Sequence, residues 1–223
     1  MVSKEFFPDP EKRPTYWAGI CQAGVYSTSP FSIVHAGRGP LMVGVVGAPP
    51  TTSSAGDVAR RALVDTLRSA NAGMLEVDEM EPDAILQAQL GKLVVNSIIN
   101  PLTVFFSCKN GQVFDTQKAR TWYSRLLPEA GAIVRALLPR EDLKDAFSDE
   151  ALDALVMRVV RQTANNTSSM LQDIQAGRRT EVDYINRYLV TQAQGLGLPH
   201  PHHSAVCREM MLLEGKGRRD AGP

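Results

Sequence analysis

The feature that most limits the fold is "KLVVNSIINPLTVFF", residues 92 to 106, an apolar run interrupted by Lys92, Asn96 and Asn100 at intervals of four. On an α-helix four residues advance about 400° and about 6 Å, so these polar side chains leave one slowly drifting face. Leu93, Val94, Val95, Ile98 and Ile99 fill the other directions. A helix that is apolar all round is a buried helix, and a buried ammonium is costly unless it is paired or reaches a wet cavity. Two readings of the stripe stand: it faces a polar cleft, or Lys92 snorkels to the surface while the asparagines bond nearby backbone. Periodicity does not choose between them. Pro101 has no N–H and its ring opposes the carbonyl of Ser97, which predicts an end or a kink at that point.

The chain around this run has two textures. From about Thr15 to Val46 it is rich in Gly, Ser and β-branched or aromatic residues. "TYWAGICQAGVYS", "FSIVHAG" and "PLMVGVV" read as three short strands, the last two a hairpin across "GRG". "GAPPTTSSAGD" reads as a linker, with Ser54 or Asp57 capping the helix that follows. "GMLEVDEM" fits one more short strand, and beyond Pro82 the texture is helical, with segments predicted at 82–106, 116–138, 148–176, 181–196 and 203–215. The expected organisation is a strand-rich piece over 1–55, a helical body over 56–215 and a disordered tail over 216–223.

Composition removes several classes of function. Lys plus Arg and Asp plus Glu both number 24, so no charge surplus favours nucleic acid or an anionic membrane. No apolar stretch approaches the roughly 20 residues of a spanning helix. Cys21, Cys108 and Cys207 are scattered and contain no CxxC pair, as expected of reduced thiols in an intracellular, cytoplasmic setting, with a mitochondrial one left open. No metal is expected either. The histidines of "PHPHHS", residues 199 to 204, have no carboxylate or cysteine at ligand spacing and read as a solvated loop.

A second polar stripe lies in "NNTSSMLQDIQAGRRTEVDYIN", residues 165 to 186. Asn166, Ser169 and Asp173 fall at i, i+3 and i+7 on a predicted helix. Gly177 should end that helix, Thr180 should cap the next, and Glu181 should lie in its first turn. Taken singly, each is as well explained by an exposed helix face with caps.

Together, "KLVVNSIINPLT" followed by "NG", and then "NNTSSMLQDIQAGRRTEVDYIN", resemble the two signature blocks in the C-terminal half of ketopantoate reductases, the 2-dehydropantoate 2-reductases of pantothenate synthesis. The resemblance runs from about Arg13 to Glu214. It implies a mostly α chain, in which a helical, 6-phosphogluconate-dehydrogenase-like C-terminal domain follows a truncated α/β (Rossmann) remnant. It also implies an NADPH-dependent reduction of a small 2-keto acid. Lys92 matches the family's catalytic lysine, which protonates the alkoxide, and Glu181 matches the acid that cooperates with it. Asn96 and Asn100 match substrate-positioning amides, and Asn166 and Ser169 match residues that hold the substrate's hydroxyl and carboxylate region. These roles are coherent, because ketone reduction builds negative charge on oxygen and a lysine supplies both charge and proton. Apolar flanks would draw the pKa of Lys92 down and make it a better acid.

The resemblance has a gap. No strand–GxGxxG–helix turn stands within the 223 residues, and the nearest glycine cluster, "HAGRGPLMVG", reads as a hairpin turn. The family's hinge Asn-Gly segment is missing as well. Cofactor contacts are therefore unassigned, apart from Glu181 as a candidate. Three explanations are expected to compete: a fragment of a complete reductase, a short paralogue acting as a cofactor-incompetent ligand-binding or assembly subunit, and a second chain supplying the nucleotide domain. Unpaired strand edges over residues 15–46 predict a homodimer or another partner covering them.

Overall fold

The computed structural model describes residues 6–9, 13–29, 31–46, 54–70 and 76–220. The chain forms two compact units, Met1–Gln89 and Leu90–Pro223. Among the described residues no helix is long and apolar enough to cross a membrane, and Cys108 and Cys207 are free thiols.

The first unit is a small α/β layer. Strand β1 (Trp17–Cys21) pairs antiparallel with β4 (Leu41–Val45), and β4 pairs parallel with β5 (Val77–Met80). The parallel step needs a crossover, supplied by helix α1 (Ser54–Ala70). Its Val64 and Leu67 pack on Val43, Val77, Trp17 and Leu41. Gly44 lets this layer close: a Cβ there would lie 2.8 Å from the carbonyl oxygen of Met80 and 2.9 Å from Cβ of Ile85. Two expectations change. "TYWAGICQAGVYS" is two strands, β1 and β2 (Gly24–Ser29), and the hairpin is β2 with β3 (Ser32–Gly37). Strand β4 turns away to pair with β1, because its adjacent residues Val43 and Gly44, on opposite faces, are both buried while Val25, Phe31 and Ile33 of the β2–β3 ribbon are exposed. The linker expected at 47–57 lies mostly outside the described residues.

Helix α2 (Pro82–Phe106) opens with a proline, tolerated where the N–H would be unpaired anyway. In the second unit its stretch from Val94 to Val104 is buried except for half-buried Asn96, as its composition demands. It does not stop at Pro101: the helix continues to Phe106, held by buried neighbours on both sides, Ile98 and Leu102 among them.

Around it lie α3 (Gln117–Leu137), α4 (Asp149–Gln162), α5 (Ser169–Gln175), α6 (Asn186–Leu196) and α7 (Pro201–Asp220). Helix α3 packs on α4, α6 and α7, and α7 also packs on α5 and α6. The single helix expected over 148–176 is two. Thr163 folds its hydroxyl back onto the carbonyl of Val159 at 2.7 Å, and Ser168 caps α5 by accepting from the backbone N–H of Leu171 at 3.1 Å. Ser, Thr and Asn prefer such local bonds to helix interior. Gly177 ends this region with φ of 65°, as its position in the sequence suggests. The final helix runs to Asp220, five residues further than expected.

Candidate functional site

The two sequence blocks are joined by hydrogen bonds within the second unit. The backbone N–H of Asn110 donates to the carbonyl of Asn166 at 3.0 Å, and that of Gly111 donates to the carbonyl of Ala164 at 3.0 Å. The Asn110 side-chain amide adds a bond to the Thr163 hydroxyl at 2.9 Å. Near the end of α2, the Thr103 and Ser168 hydroxyls meet at 2.6 Å. Asn186, at the start of α6, donates through Nδ2 to the carbonyl of Ser97 at 2.7 Å. The end of α2 and the turn after it, from Ser97 to Gly111, are thus laced to residues 163–186.

Gly111 sets the closeness of one of these seams. A Cβ at 111 would sit 2.8 Å from Cβ of Ala164 and 3.0 Å from its carbonyl oxygen. Gly111→Ala is therefore expected to cost about 1–3 kcal/mol, seen as a lower urea midpoint. An unchanged midpoint would mean that the 163–168 loop gives way freely.

The six residues singled out from sequence take different positions. Asn100 is buried and Asn96 half-buried, whereas Lys92 is exposed. The enclosure of Lys92 by apolar flanks is not realised: Lys92 is exposed although its neighbours Leu90 and Gly91 are buried. Asn166 lies in the turn before α5 with its side chain exposed, and Ser169 is exposed at the first position of α5. They share no continuous helical face with Asp173. Glu181 is exposed in a turn five residues ahead of α6, not in a helical first turn. Its carbonyl accepts from the N–H groups of Tyr184 and Ile185 at 2.9 and 3.0 Å. The segment is pinned on both sides: Glu214 Oε1 accepts from the Thr180 N–H at 2.8 Å and from its hydroxyl at 2.6 Å, and Val182 is buried. The carboxylate of Glu181 is left facing outward.

Sequence reasoning missed the buried polar residues. Ser168, next to the assigned Ser169, is the serine that bonds α2. His203 is fully buried, against the expectation of a solvated loop. Glu129 accepts through Oε1 from its N–H at 2.7 Å and through Oε2 from the N–H of His202 at 3.0 Å. The carboxylate thereby caps the N-terminus of α7. A cleft of about 700 Å³ opens elsewhere in this unit between Phe105, Trp122, Lys118, Arg125 and Leu213. None of the six residues lines it.

Residues 84–214 match the family model described as "Ketopantoate reductase PanE/ApbA C terminal", a span that takes in both laced blocks. The chain belongs to the ketopantoate reductase family. A "Probable 2-dehydropantoate 2-reductase" of Schizosaccharomyces pombe is 27% identical over 95% of this chain and 61% of its own length. The 2-dehydropantoate 2-reductase of Yersinia pestis is 35% identical over 78% of this chain and 51% of its own. Among solved structures, the probable 2-dehydropantoate 2-reductase of Bacillus subtilis superposes with a TM-score of 0.71 at 25% identity, covering 96% of this chain and 66% of that one. A D-mandelate dehydrogenase solved with NADH shares the fold, with a TM-score of 0.70 at 18% identity. The chain thus spans between half and two thirds of the length of these ketopantoate reductases.

Proposed function

We propose that this chain carries the substrate-holding and proton-donating part of a 2-dehydropantoate 2-reductase, acting in the NADPH-dependent reduction of ketopantoate to pantoate. The observation that supports this best is the lacing of α2 to residues 163–186, which gathers the family's two blocks into one body. Lys92 is the general acid: exposed on α2, its ammonium can reach a bound ketone and give a proton to the forming alkoxide. Asn96 and Asn100, one and two turns further along, orient the substrate without competing for that proton. Asn166 and Ser169 hold its hydroxyl and carboxylate end, and Glu181 presents a carboxylate to the substrate beside the lysine.

Hydride supply belongs to a nicotinamide cofactor. NADH in the mandelate dehydrogenase and the relatives' names support that class, and NADPH is the finer assignment. The residues present do not fit its pyrophosphate, since none forms a strand–GxGxxG–helix cradle. The roles assigned are accordingly confined to this chain's own side chains.

Calorimetric titration of the purified chain with ketopantoate tests the reading. Binding is expected, and Asn100→Ala is expected to weaken it about tenfold by removing one hydrogen bond to a charged ligand. Binding that ignores both Asn96→Ala and Asn100→Ala would overturn the site. The alternative, a cofactor-incompetent binding or assembly subunit, is favoured by one observation, the exposed Val25, Phe31 and Ile33 on the β2–β3 ribbon. It predicts a second copy or another chain on that ribbon, and ketopantoate binding without turnover.

A further inference from the structure

The unbroken run of α2 through Pro101 poses a hydrogen-bond problem. In an α-helix the carbonyl of residue 97 takes its hydrogen from the N–H of residue 101, and a proline has none. Ser97 is fully buried, so an unpaired carbonyl there would lose the bond without gaining water. The hydrogen comes from a different helix. Asn186 Nδ2 lies 2.7 Å from the Ser97 carbonyl oxygen and 3.1 Å from Nδ1 of His203. One amide hydrogen goes to the carbonyl and the other to the ring, so Nδ1 accepts and His203 carries its proton on Nε2. Asn186 Oδ1 takes no hydrogen bond among the described residues; the amide is placed for its two hydrogens. His203 is fixed in turn, because Glu129 grips the backbone N–H of both His202 and His203. Asn186 and His203 are, like Ser97, fully buried.

We propose that Asn186 is a positioning residue: oriented by His203, it replaces the hydrogen bond that Pro101 removes and sets the turn of α2 from which Asn96 and Asn100 project. That those amides meet substrate rests on the ketopantoate reading, whereas the replacement of the bond does not. The arrangement lets the helix carry a proline directly after the turns that bear Asn96 and Asn100 and still run on to Phe106.

A double-mutant cycle between positions 101 and 186 tests this in the 223-residue chain. Pro101→Ala returns a backbone N–H that can serve the Ser97 carbonyl. Asn186→Ala is expected to lower the urea midpoint clearly in the wild-type background and by roughly half as much or less with Pro101→Ala. Equal losses in the two backgrounds would overturn the proposal. Should Asn186→Ala fail to fold, Pro101→Ala alone decides: in isotope-labelled NMR spectra the Asn186 amide hydrogen on Ser97 should move toward the position of a weaker hydrogen bond, and no movement refutes the replacement. Positioning has its own readout. The Asn96 and Asn100 side-chain amide resonances should shift in Asn186→Ala and return in the double variant, and resonances that stay put would reduce Asn186 to packing. The same two amides report the functional reading separately: indifference to added ketopantoate in the wild-type chain sinks that reading, while the cycle still decides the hydrogen bond.

Discussion

Lys92→Ala is expected to lower kcat for ketopantoate reduction by about two to four orders of magnitude, the range for loss of a general acid, with KM changed far less. The assay is ketopantoate-dependent oxidation of NADPH, by this chain alone or joined to a nucleotide-binding segment. The contrast with Lys92→Arg separates the two things a lysine offers. Arginine keeps the positive charge but does not give up its proton, so it should restore only the part of the rate due to charge stabilisation. If Lys92→Arg recovered the full rate, proton donation would have to come from elsewhere. If Lys92→Ala left kcat untouched, the residue would be the snorkelling lysine that its exposed position also allows.

The second large effect concerns acid. Burial pushes the His203 imidazole down from 6.5 to about 4, opposed in part by the nearby Glu129 carboxylate. In the unfolded chain His203 takes a proton as pH falls through 6.5, whereas in the folded chain it resists until about 4. The neutral form is thus the one the fold favours. Its contribution is complete above the unfolded value, is lost as pH falls across that window, and amounts to roughly 3 kcal/mol. Protonation at Nδ1 would also turn the acceptor that orients Asn186 into a donor. Urea unfolding should therefore show stability falling between about pH 6.5 and about pH 4, and His203→Gln should flatten that limb. A wild-type chain equally stable at both ends would refute it. The carboxylates of Asp183 and Asp142, held below the usual range by hydrogen bonds from Arg187 and Arg140, lose their contribution only at more acid pH and do not imitate the effect.

Much of the fold is legible in the residues. The length and apolarity of 82–106 require a buried helix, and α2 is one. Gly177 stops α5, and "GMLEVDEM" yields β5 at its end. The errors also have physical causes. Joining 148–176 into one helix ignored five consecutive Thr, Asn and Ser residues, of which Ser168 caps α5. Expecting an end or a kink at Pro101 counted the lost donor but not its replacement by Asn186, 89 residues from the Ser97 carbonyl it serves. Pairing β3 with β4 followed adjacency in the chain, whereas the burial of Val43 joins β4 to β1 and β5.

By itself the sequence determined that a greasy helix with a polar stripe must be buried, and that two blocks of the ketopantoate reductase pattern lie on a helical body. It could not decide which polar residues turn inward. Periodicity sets a side chain's direction about its own helix axis, but a buried polar group survives only where a partner meets it. Those partners are distant in the chain: Ser168 for Thr103 across 65 residues, Asn186 for Ser97 and His203, Glu129 for the first turn of α7. The tertiary structure therefore chose Ser168, Asn186 and His203 for the interior and left Lys92 and Glu181 at the surface, where water solvates charges that the core could not hold unpaired.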